Sequence, residues 1–230
     1  MNTELDSLIK NTQTIPGWLS IKEGVFLYFL SQKTPLNGII VEIGSYKGKS
    51  TVFLGSGIKN TNGTKLFSID PHVGSIEKPQ EYKKIDTFGE FWGNIKLFKL
   101  EKKIIPIKKT SLQAIKIFSE KIDLLFIDGS HIFKDVKNDL SHWVPKVKKG
   151  GWVIIHDATV LPGPWKASKK FLIFSPKFQN IGMIGSMIFG KYTDPENILV
   201  KFKNIFLNFF SYLYIISYVI MRRIKNWIKY

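Results

Sequence analysis

Several short apolar runs in this 230-residue chain end on residues able to bind or react. Glu42 and Gly44 close the first run, Asp70 the second, Ser111 follows the third, Asp128 the fourth, and His156 with Asp157 the fifth. Packing alone does not call for carboxylates and a histidine at such positions. In open α/β sheets, ligands bind outside the carboxyl ends of the strands, where the strand order reverses. These residues are therefore the first candidates for a site.

The loop Glu42-Ile-Gly-Ser-Tyr-Lys-Gly48 spaces its glycines as Gly-x-x-x-Gly. Gly44 can take backbone angles closed to other residues, and Gly48 lets a ligand approach the start of a helix. The loop lacks the three glycines of the dinucleotide fingerprint. Gly48-Lys49-Ser50 only echoes a phosphate loop, because no glycine sits at the required distance before it. A tight turn with no ligand would look the same. Asp70 adds to the signal. An acid at the end of the second strand, about 20–30 residues past such a loop, can hold a ribose diol. Alone it would read as a helix cap; with the loop it favours an adenosyl group.

These side chains need elements to hold them. Residues 5–9 read as a short helix, broken by Thr14-Ile-Pro-Gly17. Ser20 can cap a second helix, with Glu23 completing a capping box. Residues 39–43, 65–69, 103–107, 122–127 and 152–155 read as strands, and 49–58, 88–97, 111–118 and 133–144 as the helices between them. Residues 71–88 form a polar excursion. Alternation of this kind predicts parallel strands, right-handed crossovers and helices on both faces. Beyond Asp157 a Leu161-Pro-Gly-Pro164 loop leads to a short helix near residues 166–171, and 178–183 and 186–190 form a closing antiparallel pair. The organisation is then a helical cap over 1–34, an α/β domain over 35–193, complete by about Tyr192, and a C-terminal segment over 194–230.

Four segments carry a resemblance: Val41-Glu-Ile-Gly-Ser-Tyr-Lys-Gly-Lys-Ser-Thr51, Ser68-Ile-Asp-Pro-His72, Leu125-Phe-Ile-Asp-Gly-Ser-His131 and Lys149-Gly-Gly-Trp-Val-Ile-Ile-His-Asp157. In order and spacing they resemble the class I S-adenosylmethionine-dependent methyltransferases, above all methyltransferase family 24. They are also similar to sugar O-methyltransferases of glycan and macrolide pathways and, more distantly, to catechol O-methyltransferases. The resemblance runs from about residue 17 to 192. It implies a Rossmann-like, seven-stranded, mostly parallel sheet with an antiparallel last strand, and S-adenosylmethionine as cofactor. It implies that Glu42, Gly44, Ser45 and Gly48 meet the methionyl end, that Asp70 binds the ribose, and that Ser111 and Asp128 lie beside the adenine and sulfonium. Ser50, Pro71 and Gly129, in or beside the same motifs, join that set.

The sugar and catechol enzymes hold a divalent cation on acids after the fourth and fifth strands. Asp128 and Asp157 match those positions, and His156 takes the place of a neighbouring ligand. Ala158 offers none where the catechol enzymes carry an amide. Metal-dependent and metal-free chemistry both stay open, with Mg²⁺ or Mn²⁺ the cations such ligands favour. His131 matches the base of the sugar enzymes, with Asp128 as its catalytic companion. An imidazole with an ordinary pKa of about 6.5 can take the proton a hydroxyl must lose. A helix cap or a supporting neighbour of a metal ligand is the other reading of His131. Trp165 is a candidate surface for a stacked sugar ring. Phe88, Phe91 and Trp92 read as core before they read as pocket.

The implied reaction is O-methylation of a sugar hydroxyl in a glycan or glycolipid intermediate. A different small molecule, a nucleic acid, or a non-catalytic membrane protein that keeps the fold are the rivals. The formal charge of +16 suits nucleic acid, anionic lipid or an acidic substrate. A/T-rich codon usage explains it as well, and no Asn-Pro-Pro-aromatic motif for base amines is present. The absence of cysteine excludes disulfides and thiolate metal sites and fits a cytoplasmic setting. Residues 204–221 are uncharged and rich in Phe, Tyr, Leu and Ile, between Lys201/Lys203 and Arg222/Arg223. Lys201, Asn204, Asn208, Ser211, Tyr218, Arg222, Lys225 and Lys229 fall at helical spacing, broken only by Ile215, which predicts an amphipathic, membrane-associated helix lying on an anionic surface. A dimerisation helix and a membrane span are the other readings.

Overall fold

The computed structural model describes residues 3–74, 77 and 85–228; much of the 71–88 excursion lies outside them. Isoleucine and valine dominate β1 (Ile39–Ile43), where branched side chains favour a pleated backbone, and β4 (Ile122–Ile127) is a largely apolar run of Ile, Leu and Phe. β2 (Lys65–Ile69), β3 (Ile104–Ile107), β5 (Val147–Ile155), β6 (Phe178–Ile184) and β7 (Met187–Tyr192) complete one seven-stranded sheet in the order β3-β2-β1-β4-β5-β7-β6. The first five strands pair in parallel, and β7 runs antiparallel to both β5 and β6. The order reverses between β1 and β4, and the candidate residues stand at that switch point.

Alternation along the strands sends side chains to opposite faces. Val41, Ile43, Leu125, Ile127, Val153 and Ile155 build a core on one face, covered by α6 (Phe133–Trp143), α7 (Pro162–Ser168) and α8 (Ile198–Ile228). Ile40, Leu66, Leu124, Phe126 and Ile154 build a second core on the other. There they meet α1 (Thr3–Thr12), α2 (Ile21–Ser31), α3 (Lys49–Gly57) and α4 (Phe88–Leu97). Ser20 and Glu23 form the expected capping box on α2.

The three largest departures from the expected boundaries are these. α5 is a single turn, Ser111–Ala114. β5 starts at Val147, with a bulge between the Ile122–Val147 and Leu124–Trp152 pairs. The Pro-Gly-Pro segment is the first turn of α7 rather than a loop, since a proline at the first helical position gives up no intrahelical bond.

α8 changes the reading of the tail. Ile215 is fully buried in the first core, so α8 packs on the sheet rather than standing clear of it. Asn204 Nδ2 donates to Pro176 O (2.9 Å), and Asn208 Nδ2 donates to Phe178 O (2.9 Å). Tyr212 stacks on Trp165 with ring centroids 6.2 Å apart. Asn204 and Asn208 of the polar stripe therefore face the domain, while Tyr218 and Arg222 stay exposed, and Trp165 already has a protein partner on its ring. Removing everything from Asp194 onward would strip this cover, contrary to the expectation that the domain stands alone. Asn208→Ala leaves the buried Phe178 carbonyl without its donor. It is expected to cost about 1–3 kcal/mol, read as a lower urea midpoint; an unchanged midpoint would show α8 detached in solution.

Candidate active site

The β1–α3 loop comes first. Gly44 has φ +86°, and a methyl group there would run into the Asp128 carbonyl. Only glycine lets the β1 and β4 loops touch, and Gly129 packs at the same point. Gly48, φ +89°, begins α3 with left-handed geometry.

Beneath this loop Glu42 is fully buried. Its carboxylate accepts from Ser45 Oγ (2.9 Å), Ser50 Oγ (2.6 Å), Thr51 Oγ1 (2.5 Å) and Ser68 Oγ (3.0 Å). Glu42 and Ser50, expected at the cofactor, thus spend their polar groups on each other. Burial pushes Glu42 up to about 7 despite the four hydroxyls. Its direct role is to tie β1, β2 and α3 together under the loop.

Asp70 Oδ2 accepts from the Ser45 and Tyr46 amides at 2.8 Å each, and Oδ1 from the His72 amide at 2.6 Å. The carboxylate thereby clamps the glycine loop to the end of β2, with Pro71 half-buried beside it. His72 is buried, and its Nδ1 lies 2.9 Å from Thr87 Oγ1. It shapes this loop. Ser111 is turned to α6. Its hydroxyl donates to Asp139 Oδ1, and Trp143 Nε1 donates to it at 2.8 Å.

The β4 and β5 ends form the second half. Asp128, His131 and Asp157 each place one nitrogen or oxygen within 4.8 Å of the others, all half-buried. His131 Nε2 is 3.4 Å from Asp157 Oδ2, and its Nδ1 is 3.1 Å from Glu77 Oε2. Glu77 also accepts from the His131 amide at 2.7 Å. The hydrogen bond His131 donates to Asp157 raises it above its usual 6.5; burial opposes, and Glu77 adds to the rise. Asp157 holds φ +53°, a left-handed conformation that a non-glycine residue adopts at a cost.

His156, expected as a metal donor, lies behind these three and is 3% exposed. Its Nδ1 is 2.9 Å from Asp128 Oδ1 and 3.5 Å from Asp157 Oδ2, and its Nε2 is 3.7 Å from Glu23 Oε2. None of these contacts is aligned as a hydrogen bond, so the ring is held by charge. Burial opposes that charge, but Asp128, Asp157 and Glu23 outweigh it and hold the imidazolium up to about 12. A protonated ring offers no lone pair. The donors facing the open side are thus Asp128, His131 and Asp157, two oxygens and one nitrogen, a set that suits Mg²⁺ or Mn²⁺.

Sequence patterning read Glu23 only as a helix cap. The structure adds that its Oε1 accepts from the Ser186 amide (2.6 Å) and hydroxyl (2.7 Å) between β6 and β7. Burial would raise Glu23, yet His156, Ser20 and Ser186 bring it down to about 2. Glu77 sits in the excursion, where no local pattern marks its meeting with His131.

Residues 41–158, just over half of the chain, match the model of a family described as a methyltransferase domain. The chain belongs to this family. Among curated relatives, the chain is 30% identical over 120 residues to an uncharacterised protein of Acanthamoeba polyphaga mimivirus, covering 51% of this chain and 50% of that one. It is 38% identical over 55 residues to an uncharacterised protein of Sinorhizobium fredii, covering 24% of this chain and 6% of that one. The chain therefore spans half or less of the curated relatives it matches. Among solved structures it is similar to the O-methyltransferase NovP (TM-score 0.60, 14% identity, 83% of this chain and 79% of that one). It is also similar to a Bacillus cereus O-methyltransferase in complex with SAH (TM-score 0.58, 16% identity, covering 83% and 91%). A third is TomG from Streptomyces achromogenes, in complex with SAM (TM-score 0.59, 12% identity, covering 84% and 91%). At these identities the likeness is one of fold.

Glu42 sets a pH signature. The folded state holds its proton up to about pH 7, while the unfolded carboxyl releases it near 4.5. Stability from this group is thus present below 4.5 and lost as pH rises to about 7. Glu42→Gln is expected to remove a loss on the order of 3 kcal/mol across that window. Parallel slopes for both proteins in urea titrations would rule this out.

Proposed function

We propose that the methyltransferase transfers a methyl group from S-adenosylmethionine to a hydroxyl of a small molecule, on the cytoplasmic side of a membrane. The observation that carries this reading is the contact of the two loops at Gly44. It sets the Asp70-clamped loop beside the Asp128, His131 and Asp157 cluster. The solved relatives bound to SAM or SAH support the donor. A sugar hydroxyl of a glycan or glycolipid intermediate is the acceptor class we favour, from the motif resemblance.

In this reading the loop from Gly44 to Gly48 receives the methionyl end, and Asp70 takes the ribose hydroxyls with the lone pairs its three amides leave. The acceptor oxygen attacks the methyl carbon in line. A C–O bond forms as the C–S bond breaks, sulfur keeps the electron pair, and the acceptor proton passes to His131. Glu77 and Asp157 orient the imidazole and balance its charge. A second reading, favoured by the donor set, has a divalent cation held by Asp128, His131 and Asp157 to polarise the acceptor hydroxyl.

Four measurements test this. Asp70→Ala is expected to weaken S-adenosylmethionine binding by about 2–3 kcal/mol in calorimetry; unchanged affinity would remove Asp70 from the site. His131→Ala should lower turnover by roughly 10²–10⁴ with donor affinity kept. Because the folded pKa lies above 6.5, the base form appears only above it, and turnover should rise through a midpoint higher than 6.5. A midpoint at or below that value counts against His131 as the base. Activity lost on exhaustive chelation and restored by Mg²⁺ or Mn²⁺ would instead assign the cation reading.

A further inference from the structure

α8 carries its polarity the wrong way round for a surface helix. The side against the domain holds Asn204, Asn208 and Ile215, all buried. The side facing away holds Phe202 (64% exposed), Phe206 (63%), Phe210, Tyr214, Ile220 and Met221. Surface helices of soluble proteins do the reverse, and a continuous apolar row of this kind marks a partner or a membrane.

The surroundings of the row are basic. Lys201 and Lys203 lie at one end and Arg222 at the other, and Lys169 and Lys170 follow α7, whose Trp165 supports Tyr212. The acids nearest the start of α8 are taken: Asp194 pairs with Lys177 at 3.2 Å and Glu196 with Lys149 at 3.4 Å. We propose that the outward face of α8 docks on an anionic lipid surface. The helix lies in the interface plane, with aromatic rings at the acyl boundary and the cations among the headgroups.

Two alternatives fit less well. The 25 residues Ile198–Arg222 are long and apolar enough to cross a bilayer. A span would have to release the Asn204 and Asn208 bonds and bare Ile215. A two-fold contact with a second copy would bring the basic ends of two α8 helices together, since Lys201, Lys203 and Arg222 leave both ends positive. An anionic surface meets both ends at once, with each basic residue near it adding about 1 kcal/mol.

The placement also bears on the acceptor. α8 rests on α7 through Tyr212 and Trp165, and at Gly163 α7 abuts the His131 carbonyl, with no room for a side chain. The candidate base is thus one helix away from the lipid-facing row. A lipid-anchored acceptor would reach the site from the surface on which the protein sits. This last step rests on the proposed methyl transfer; the docking does not.

The test uses the full chain and sedimentation with phosphatidylcholine vesicles, with and without phosphatidylglycerol. Binding is expected only with the anionic lipid, and should weaken from low to high salt as the Debye length falls from about 30 Å at 0.01 M to about 3 Å at 1 M. Phe206→Ser combined with Phe210→Ser should lower vesicle affinity about a hundredfold and leave S-adenosylmethionine binding unchanged. Failure of the intact protein to bind anionic vesicles overturns the docking. So does resistance to alkaline carbonate, which means a span, or a concentration-dependent dimer that ignores vesicles. Loss of donor binding with vesicle binding intact would sink the proposed function and spare the docking. For the acceptor, label from the donor should enter the lipid extract of source membranes; label confined to the aqueous fraction overturns that part.

Discussion

His156 has carboxylates on three sides: Asp128 at the end of β4, Asp157 at the end of β5 and Glu23 from α2. Each acid belongs to a different element. Taking one ion out of water costs several kcal/mol, and a buried charge persists only where its partners return that energy. The imidazolium therefore fixes the ends of two central strands and the helical cap at one point. Glu23 carries the constraint further, since its other oxygen holds the amide and hydroxyl of Ser186 between β6 and β7. The N-terminal cap and the last hairpin are parts of the site's foundation, although neither contributes to the open cluster.

The two halves of the site are built by different means. On the β1 and β2 side the loop is held by neutral and charged hydrogen bonds. Asp70 accepts three amides from outside, and Glu42 accepts four hydroxyls from below. On the β4 and β5 side the groups are ionic and half-open. The first arrangement suits a surface that must keep one shape for a ligand. The second keeps exchangeable protons and lone pairs within reach of solvent, as acid–base or cation chemistry requires. Gly44 joins them, because its missing side chain is what allows the β1 and β4 loops to meet.

α8 shows how polar and apolar residues can exchange their usual places. Two asparagines satisfy backbone carbonyls that β6 and the turn before it would otherwise leave bare in the interior. The phenylalanines are then turned outward. The helical period alone does not distinguish this arrangement from its opposite.

Much of the fold was legible in the sequence because its signals are local. Short apolar runs specified the five parallel strands, Ser20 and Glu23 the start of α2, and the glycine loop with Asp70 the switch point, each within a few residues of backbone. The motifs also named Asp128, His131 and Asp157. What the tertiary structure decided was which groups meet. Whether Glu42 and Ser50 face a ligand or each other, whether His156 offers a lone pair or a proton, and that Glu77 reaches His131 all depend on distances between segments far apart in the chain. The side of α8 that faces the domain belongs to the same class. A helical stripe records only that two faces differ; which face is buried depends on what the sheet presents to it, and here that is the Phe178 carbonyl of β6 and the Pro176 carbonyl just before it.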